Sequence, residues 1–407
     1  MISVVVIGGG PAGMMAAIKS SEKSKVILLE KNEKLGKKLY ITGKGRCNVT
    51  NANNLDAFFE NITQNPYFLY SSLYSFTNLD TMDFFTKCGV NLKVERGNRV
   101  FPESDKSSDI INALVKELVS RNVTIKTNSK VKGFEMLNSS INSVILENGE
   151  KIKGDYYILC TGGLSYPQTG STGDGFIFAK KFGHNIIDPF PALVPLEVKE
   201  DWIKDLQGLS LKNVEFKIFD ENNKKVYSDF GEMLFTHFGV SGPVVLSASR
   251  IVNYKKNLRI SINLKPALSE QELDKRIQND FNKYINKDFR NSLNDLLPQK
   301  LINTVISLSK IDPLKKVNLI TRDERKKLLN ILQDFTLNIK GTRPIEEAIV
   351  TAGGIDTKEI DPSTMKSKLI NNLSFAGEII DVDAYTGGYN IQIALSTGFL
   401  SGSEINN

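Results

Sequence analysis

The hydrophobic positions at the start of the chain predict a strand, a turn, a helix and a second strand in close succession. Ser3 to Ile7 is a β-branched apolar run, typical of a strand buried on both faces. A glycine-rich turn follows, and the small apolar residues from Met14 to Ile18 suit a helix that packs closely on a sheet. A second apolar run, Val26 to Leu29, ends at Glu30. This order is typical of the nucleotide-binding half of a doubly wound α/β fold.

The turn from Gly8 to Gly13 matches the G-x-G-x-x-G spacing, and each of its glycines has a physical role. Gly8 allows a tight turn, Gly10 places no Cβ between the backbone and a diphosphate, and Gly13 lets helix and strand approach. The N–H groups at the helix N-terminus then face the diphosphate. The carboxylate of Glu30 can accept both ribose hydroxyls and would repel a 2′-phosphate, so the site suits FAD or NAD better than NADP.

Alternation of hydrophobic and polar residues from about residue 189 predicts an antiparallel sheet or a small barrel. The segments predicted as strands are 214–219, 225–228, 232–236, 258–264 and 335–340. Before the last of them, capping boxes at Ser269 and Thr321 predict helices. The chain then returns to the first domain through a buried strand, Leu373 to Ala376, and a helix, Ile391 to Leu400.

Three later segments favour FAD, because they bring further backbone to an extended cofactor. The loop Thr42–Asn48 has glycines and cationic side chains that suit close passage along a phosphate or a flavin ring. A buried strand ends at Thr161, and the tail offers Gly377 and a helix start at Gly388, whose dipole would stabilise reduced flavin. The residues predicted to bind the cofactor are Gly8, Gly10, Ala12, Gly13, Glu30, Lys31, Lys38, Thr42, Gly43, Gly45, Arg46, Cys47, Asn48, Val131, Thr161, Gly162, Gly163, Gly377, Glu378, Gly388, Tyr389, Asn390 and Ile391.

Motifs spread over almost the entire chain carry a resemblance to a known family. They are Gly8–Gly13, Thr42–Asn48, Gly170–Gly175, Leu234–Pro243, Val350–Gly354, Phe375–Glu378, Asp381–Asp383 and Tyr385–Asn390. In these motifs the chain resembles the YhiN/BaiN-type flavoproteins, which are also described as aminoacetone-oxidase-like FAD-binding enzymes. The resemblance implies a non-covalently held FAD and oxidoreductase activity, and it implies no particular substrate.

The fold class expected from the pattern and the resemblance together is α/β. The resemblance implies a glutathione-reductase-like Rossmann FAD domain, an inserted antiparallel β-barrel and a small helical domain. The FAD-binding domain is predicted to be discontinuous, because the chain returns to it after the insertions. The predicted boundaries are 1–188 plus 342–407 for the FAD-binding domain, 189–265 plus 335–341 for the barrel, and 266–334 for the helical domain.

Composition describes an ordinary globular protein of 407 residues, with 41% apolar and 24% charged residues. Three cysteines and two histidines favour neither a disulfide framework nor a zinc or other metal site. No apolar run reaches the ~18 residues of a membrane span, so we expect a cytoplasmic protein without a membrane partner. The net charge of +6 is mild and its cations are scattered, so nucleic acid is not the expected partner.

Few residues are candidates for the chemistry beside the flavin. No second strand with a G-x-G-x-x-G turn follows residue 160, which argues against a dedicated NAD(P)H domain but leaves transient NAD(P)H binding open. Cys47 lacks a nearby cysteine partner and is interpreted as a neutral packed thiol rather than a dithiol relay or a covalent flavin anchor. His237 is the candidate proton donor, against the alternative of a histidine held by local hydrogen bonds. Arg46 and Lys38 are better suited to cofactor phosphates or a substrate anion.

We therefore predict an FAD-dependent oxidoreductase that moves hydride between the flavin and a small organic substrate, with NAD(P)H or dioxygen completing the cycle. An NAD(P)H-driven reductase of a carbonyl or enone and an amine or aminoketone oxidase are both open at this point. An RNA-acting flavoprotein, such as one that modifies tRNA, and a flavin redox sensor without turnover are the alternatives from other classes. The sequence leaves the substrate and the oligomeric state open.

Overall fold

The computed structural model describes residues 1–406 of the chain. These residues form two compact units. The first unit is Met1–Pro191 together with the chain from Ile345 onward, and the second unit is Ala192–Pro344. Both junctions lie close to the boundaries predicted at 188/189 and 341/342. The further division of the insertion into a barrel domain and a helical domain stays a prediction.

A five-stranded parallel sheet organises the first unit around the predicted strand Ser3–Ile7. The strand order is Leu373–Phe375, Tyr156–Leu159, Ser3–Ile7, Lys25–Leu29 and Thr124–Lys126. Val4 and Val6 join the hydrophobic core on one side of the sheet, and Val5 and Ile7 join the core on the other. Burial on both faces explains why this strand is a continuous β-branched run rather than an alternating one.

The other elements of the first unit surround this sheet. Its further strands are Thr50–Asn51, Ile62–Gln64, Leu92–Glu95, Arg99–Pro102, Val131–Leu137, Ser140–Leu146, Lys151–Ile152, Ile186–Ala192, Val350–Ile355 and Asp383–Ala384. Its α-helices are Pro11–Ser20, Lys37–Ile41, Leu55–Phe59, Tyr70–Ser75, Asn78–Lys87, Ser107–Ser120, Asp174–Lys181 and Tyr389–Ser403.

The first helix, Pro11–Ser20, and the last helix, Tyr389–Ser403, run parallel with their backbones in contact. A Cβ built on Gly398 would lie 2.3 Å from the carbonyl oxygen of Ala12, and one built on Gly402 would lie 2.6 Å from that of Ala16. The two glycines are four residues apart and therefore share one face of the last helix. Because neither glycine has a side chain, the last helix packs with its backbone directly against the first helix near its start.

A closed antiparallel barrel of six strands forms the β-structure of the second unit, and the predicted barrel is thereby confirmed. Its order is Leu196–Val198, Gly239–Ser241, Lys225–Phe235, Ser210–Phe219, Arg259–Asn263 and Phe335–Thr342. The segments 225–228 and 232–236 were predicted as separate strands, and this was wrong. The residues between them continue the ladder, because Phe230 pairs with Glu215, so Lys225–Phe235 is a single strand. Two closing strands of three residues each are too short to show a period in the sequence.

Helices pack beside and against the barrel in the second unit. They are Pro243–Val252, Glu270–Lys283, Gln299–Ser309 and Arg322–Gln333. Both predicted capping boxes are present, because Ser269 and Glu272 exchange hydrogen bonds at one helix start and Thr321 and Glu324 do so at another. The helices and the barrel share one hydrophobic core that includes Phe216, Leu301 and Phe335.

Candidate functional site

The turn between the first strand and the first helix is open where a diphosphate would lie. Gly10 is the N-cap of the helix, with φ −78°, and among residues 1–406 no atom of another segment lies within 4 Å of a Cβ built on it. Pro11 occupies the first helical position, where a missing N–H costs nothing. In the described part of the chain no side chain caps this helix, so its first N–H groups are available to an anion. This cradle fits the diphosphate of a dinucleotide.

Glu30 lies at the end of the second strand of the sheet and is buried. One carboxylate oxygen accepts the N–H of Gly9 at 2.8 Å, and the other accepts the backbone N–H and the side-chain amide of Asn32 at 2.8 and 2.7 Å. These bonds hold the carboxylate beside the turn, where a ribose would bind. Lys31, also predicted to bind the cofactor, instead donates to Asp174 at 2.8 Å.

A polar network joins Lys38, predicted from the second loop, to Glu378, predicted from the tail. The Nζ of Lys38 lies 2.7 and 2.9 Å from the carboxylate oxygens of Glu378 and 2.6 Å from the hydroxyl of Ser165. The backbone N–H of Thr351 donates to the same carboxylate at 2.8 Å, and its hydroxyl lies 3.2 Å from that of Ser165. The network therefore brings together four segments that are distant in sequence.

Ser165 and Thr351 are the members of this network that sequence reasoning did not single out. Thr351 accepts the backbone N–H groups of Leu164 and Ser165, at 2.8 and 3.0 Å, and so holds the chain just after the predicted Gly162 and Gly163. Both residues carried a weak signal. Ser165 follows the glycines closely, and Thr351 is part of the Val350–Gly354 motif.

Arg46, in the loop Thr42–Asn48, was predicted to bind a phosphate, and in the structure its guanidinium has partners within the protein. The guanidinium of Arg46 pairs with Glu95 and Asp105 and lies 4.2 Å from the ring centre of Phe101. The hydrogen bonds that Arg46 donates to Glu95 and Asp105 raise the pKa of Arg46, and hydrogen bonds from Lys93 and Arg46 keep the pKa of the Asp105 carboxyl low. Arg46 therefore anchors the loop to neighbouring strands, and its role with a phosphate stays a prediction.

Cys47 is buried in the same loop and has a left-handed backbone, with φ 59°. Burial raises the pKa of its thiol to about 12, so the group is a neutral thiol at physiological pH. The next residue, Asn48, accepts the N–H of Val100 at 3.2 Å through its side chain. Gly43 has φ 58° and Gly45 has φ 85°, conformations that favour glycine.

The predicted residues of the tail shape the turn before the last helix. The amide of Asn390 accepts the N–H of Ala384 at 3.0 Å and donates to its carbonyl at 2.8 Å, which closes the turn. The hydroxyl of Tyr389 accepts a bond from Asn53 at 3.0 Å. Gly388, the N-cap, has φ 100°, and a Cβ there would lie 2.3 Å from the carbonyl oxygen of Thr50. Ile391 follows in the first turn of the helix.

Two further predicted residues lie near strand ends in the first unit, Thr161 two residues after the strand Tyr156–Leu159 and Val131 at the start of another strand. The hydroxyl oxygen of Thr161 is buried and, within residues 1–406, has no hydrogen-bond partner. Val131 begins the hairpin strand Val131–Leu137 and is buried. The Thr161 hydroxyl is therefore available to donate to a bound group beside Gly162 and Gly163. Such a bond would remove the free-energy cost of an unpaired buried hydroxyl.

His237 lies in the second unit, whereas every residue predicted to bind the cofactor lies in the first. It is exposed in the turn between two barrel strands, which is closed by Thr236 and Gly239. Its ring contacts that of Phe238, with centroids 5.0 Å apart, and the guanidinium of Arg343 lies 4.7 Å from the centre of the Phe238 ring. Within the described residues no cluster of three or more His, Cys, Asp or Glu side chains could hold a metal ion, and no helix is long and apolar enough to cross a membrane.

Comparison with known proteins agrees with this architecture. Residues 2–404 match the family described as HI0933-like protein Rossmann domain. A protein of Clostridium scindens named 3-dehydro-bile acid delta(4,6)-reductase is 31% identical over 99% of this chain and 98% of its own. A protein of Escherichia coli K12 named ribosomal RNA dihydrouridine synthase is 31% identical over 98% of this chain and 97% of its own.

A solved structure supports the fold alone. The 3-ketosteroid delta1-dehydrogenase from Sterolibacterium denitrificans, in complex with 1,4-androstadiene-3,17-dione, superposes with a TM-score of 0.53. The alignment covers 100% of this chain and 99% of that one at 12% sequence identity.

The fold and the open diphosphate cradle define a Rossmann-type flavoprotein with an inserted barrel. The chain belongs to the HI0933-like Rossmann family, an FAD-dependent oxidoreductase family. The predicted resemblance, the α/β fold class, FAD as cofactor and the class of oxidoreductase are therefore confirmed. The individual cofactor-binding residues stay predictions that the geometry of the first unit is compatible with.

Proposed function

We propose that this protein is an FAD-dependent reductase of carbon–carbon double bonds conjugated with a carbonyl. The observation that carries the proposal is that two relatives of equal similarity have names describing this one reaction type. A 3-dehydro bile acid with delta(4,6) unsaturation is a conjugated ketone, and dihydrouridine is uridine reduced at the double bond conjugated with a ring carbonyl. The reaction type that the two names share therefore supports the proposal, whereas the two substrates differ.

FAD, when bound, supplies hydride to such a bond from its N5 position. Gly10 and the N-terminus of the first helix would hold the diphosphate, and Glu30 would hold the ribose. The network of Lys38 and Glu378 fixes the segments that follow the central strands, and the turn closed by Asn390 directs the last helix. The chain therefore contributes binding and orientation, and the remaining requirement is a proton for the carbon next to the carbonyl.

His237 is the candidate for that proton, which a ring N–H would donate. We expect His237→Gln to lower kcat by about 10²-fold or more and to leave the affinity for FAD unchanged, because no predicted cofactor contact lies in the second unit. Steady-state rates and flavin titrations measure the two effects. An unchanged kcat would assign His237 the alternative role of a surface histidine in a structured turn.

The proposal includes the partners of the reaction. NAD(P)H, bound transiently, is the proposed source of reducing equivalents, and dioxygen is the alternative acceptor for an amine or aminoketone oxidase.

The conjugated group is carried either by a small molecule, as first predicted, or by RNA. The expectation against nucleic acid has no support, because one relative is named for an activity on ribosomal RNA. Three free cysteines favour a cytoplasmic location.

Anaerobic half-reactions test the proposal directly. The yellow holoprotein is mixed with NADH or NADPH, and bleaching of the flavin band reports reduction. Cyclohex-2-enone or a uridine-containing RNA is then added, and return of the band reports hydride transfer to the conjugated bond. If aminoacetone bleaches the flavin while no conjugated carbonyl restores it, the protein is an oxidase. If the flavin is reducible but nothing turns over, it is a redox sensor.

A further inference from the structure

We propose that a row of tyrosine side chains on the first unit binds a basic segment of a partner protein. The tyrosine row consists of Tyr67, Tyr70 and Tyr74, whose exposed fractions are 79%, 42% and 58%. None of them is a predicted cofactor residue, and none belongs to a hydrophobic core of the described residues. The inference does not depend on the proposed function, because it concerns what docks on the protein and not what the flavin reduces.

The tyrosine row lies along the helical segment that begins at Pro66 and ends at Ser75. Spacings of three and four residues place the three tyrosines on one face of this segment. Another face fixes the segment to the molecule, because the side chains of Leu69 and Leu73 are fully buried. Packing therefore uses the leucines of the segment, and the tyrosines are left for solvent or for a partner.

The rings of the tyrosine row form one stack that is held in place from within the first unit. The ring centroids of Tyr67 and Tyr70 are 5.9 Å apart, those of Tyr70 and Tyr74 are 6.1 Å apart, and the angles between the rings are 26° and 18°. Phe59, which packs against the hydrophobic core, contacts the row with its ring centroid 4.4 Å from that of Tyr70. A row that is already ordered loses little side-chain entropy when a partner binds, and exposed tyrosines are common at protein interfaces for this reason.

The surroundings of the tyrosine row are poor in cations. The segment from Cys47 to Thr86 has no lysine or arginine, although the whole chain has 52. The last helix, Tyr389–Ser403, against which the helix Tyr70–Ser75 packs, has no charged residue. The second unit contains 26 lysines and arginines against 19 aspartates and glutamates, a net charge of +7, whereas the rest of the chain has 26 against 27, a net charge of −1. The field around the row therefore does not repel a cation.

Two carboxylates lie beside the tyrosine row. Asp56 and Glu60 are four residues apart on the helical turn that contains Phe59, and this spacing places all three on one face of the turn. Both carboxylates are exposed, and within residues 1–406 neither of them forms an ion pair. The other acidic residues of the segment from 47 to 86, Asp80 and Asp83, have partners in their own helix. Asp56 and Glu60 are thus available to a cation from outside the chain.

Exposed rings and unpaired carboxylates together fit cationic side chains. A guanidinium or ammonium group over an exposed tyrosine ring gains about 0.5–1 kcal/mol, and arginine also stacks on aromatic rings. One such contact is too weak for stable docking, so the row fits a segment that carries several arginines or lysines. Asp56 and Glu60 would repel a nucleic acid or an anionic membrane. A second copy of this chain, with its positively charged second unit, is the other cationic occupant, and the experiment below separates it from a basic segment of another protein.

Binding of a fluorescein-labelled peptide of alternating arginine and glycine to the holoprotein, followed by anisotropy, tests the inference. We expect Tyr67→Ser with Tyr74→Ser to weaken binding by about 10-fold, because two contacts between a cation and a ring are lost. Tyr67→Phe with Tyr74→Phe keeps the rings and should retain the wild-type affinity. The matched control is Tyr40→Ser with Tyr254→Ser, which removes two rings that are 58% and 63% exposed elsewhere on the protein. It should change the affinity less than twofold.

Equal affinities of the wild type and the serine variant for the arginine peptide would overturn the inference, as would equal weakening by the control pair or equal binding of a peptide with glutamate in place of arginine. If the arginine peptide does not bind and the wild type self-associates in sedimentation while the serine variant does not, the tyrosine row belongs to a second copy of the chain. The flavin spectrum and thermal midpoint of the serine variant should match those of the wild type, which excludes misfolding. None of these measurements requires turnover, so they remain interpretable if the proposed function fails.

Discussion

At the scale of single residues, the candidate site depends on groups whose partners can be named. Glu30 is held by Gly9 and Asn32, and the carboxylate of Glu378 is held by Lys38 and Thr351. Gly10 differs because its importance lies in the space it leaves rather than in a contact. Substitutions at these positions should therefore separate effects on the fold from effects on the cofactor.

Gly10→Ala should impair cofactor binding without harming the fold. The backbone of Gly10 has φ −78°, which alanine adopts freely, and the added methyl meets no protein atom. We expect the free energy of unfolding of the apoprotein to stay within about 1 kcal/mol of the wild type, because the reduced entropy of the unfolded chain offsets the poorer capping by alanine. The affinity for FAD, measured by quenching of flavin fluorescence, should fall at least tenfold because the methyl occupies the space of the diphosphate.

Gly341→Ala in the barrel is the matched control, because in the described part of the chain a Cβ there also meets no atom within 4 Å. It should leave the affinity for FAD unchanged. A Gly10→Ala protein with wild-type affinity for FAD would show that the diphosphate lies elsewhere.

His184 should make stability depend on pH. Its ring is buried, with Nδ1 3.0 Å from a carboxylate oxygen of Glu359 and Nε2 2.8 Å from the hydroxyl of Ser367. Burial lowers the pKa of the imidazole from its ordinary 6.5, and Glu359 only partly offsets this. The unfolded chain therefore binds a proton at a higher pH than the folded chain. The contribution of His184 to the free energy of unfolding should consequently be complete above pH 6.5 and should decrease as the pH falls below that value.

Urea unfolding at pH 5 to 8 measures this dependence. His184→Gln should flatten the profile between pH 5 and 7 and lower stability at pH 8 by about 1–3 kcal/mol, since buried groups lose their hydrogen bonds. His237→Gln, which alters the other histidine, should retain the wild-type profile. Equal pH profiles of stability for the wild type and the His184 variant would contradict the assignment of this pH dependence to His184. The backbone N–H of His184 donates to the carbonyl of Ala179 at the helix end, and its side chain bonds to Glu359 and Ser367.

At the scale of elements, the contact between the first and last helices determines how accurately the diphosphate turn is held. The two helices touch through Gly398 and Gly402, and the last helix starts from the turn that Asn390 closes. Thr397 adds a hydrogen bond of 3.0 Å from the N–H of Gly377. A single element thus connects the tail of the chain with the turn at its start.

Gly398→Ala should destabilise the protein although alanine is the better helix former. The new Cβ would lie 2.3 Å from the carbonyl oxygen of Ala12, so one helix must move. Overpacking of this kind costs about 1–3 kcal/mol, more than the ~1 kcal/mol gained from helix propensity. The midpoint of urea unfolding should fall, and the affinity for FAD should fall with it.

Ser403→Ala is the control within the same helix, because it removes only the hydrogen bond from the Ser403 hydroxyl to the Phe399 carbonyl. Its unfolding midpoint should remain close to that of the wild type. A Gly398→Ala protein as stable as the wild type would show that the helices can separate without loss.

At the scale of the whole molecule, the two units divide the cofactor and the charge between them. Each has its own hydrophobic core, and all the predicted FAD residues lie in the first unit. The second unit holds His237 and the excess of positive charge. We infer that the first unit binds the cofactor and that the second unit contributes to the choice of substrate.

Removing the second unit should leave a flavin-binding protein without turnover. The backbone N–H of Arg343 donates to the carbonyl of Pro195 at 3.0 Å, so the two connections leave the second unit side by side. A short Gly-Ser linker can therefore join Pro191 to Ile345. The shortened protein should retain the FAD absorption bands and should fail to reduce cyclohex-2-enone. Loss of FAD from a folded shortened protein would place part of the cofactor site in the second unit.

Prediction from the sequence succeeded where the signal is local and failed where it is not. The strand before Gly8 and the capping boxes at Ser269 and Thr321 depend on neighbouring residues, and they formed as expected. The barrel strands Leu196–Val198 and Gly239–Ser241 went unrecognised because three residues cannot establish an alternation. The ion pairs of Arg46 with Glu95 and Asp105 could not be predicted, because both carboxylates are far from Arg46 in sequence; the role of Arg46 with a phosphate stays a prediction.

The sequence by itself determined the cofactor class, the parallel sheet and the presence of a barrel. These follow from β-branched runs, glycine spacing and alternation, which are properties of short segments. Only the tertiary structure determined which side chains from distant segments contact each other. It brought Lys38 to Glu378 across 340 residues and gave Arg46 its two carboxylates. The physical reason is that side-chain contacts between distant segments depend on the packing of whole elements, and no local pattern encodes which elements meet.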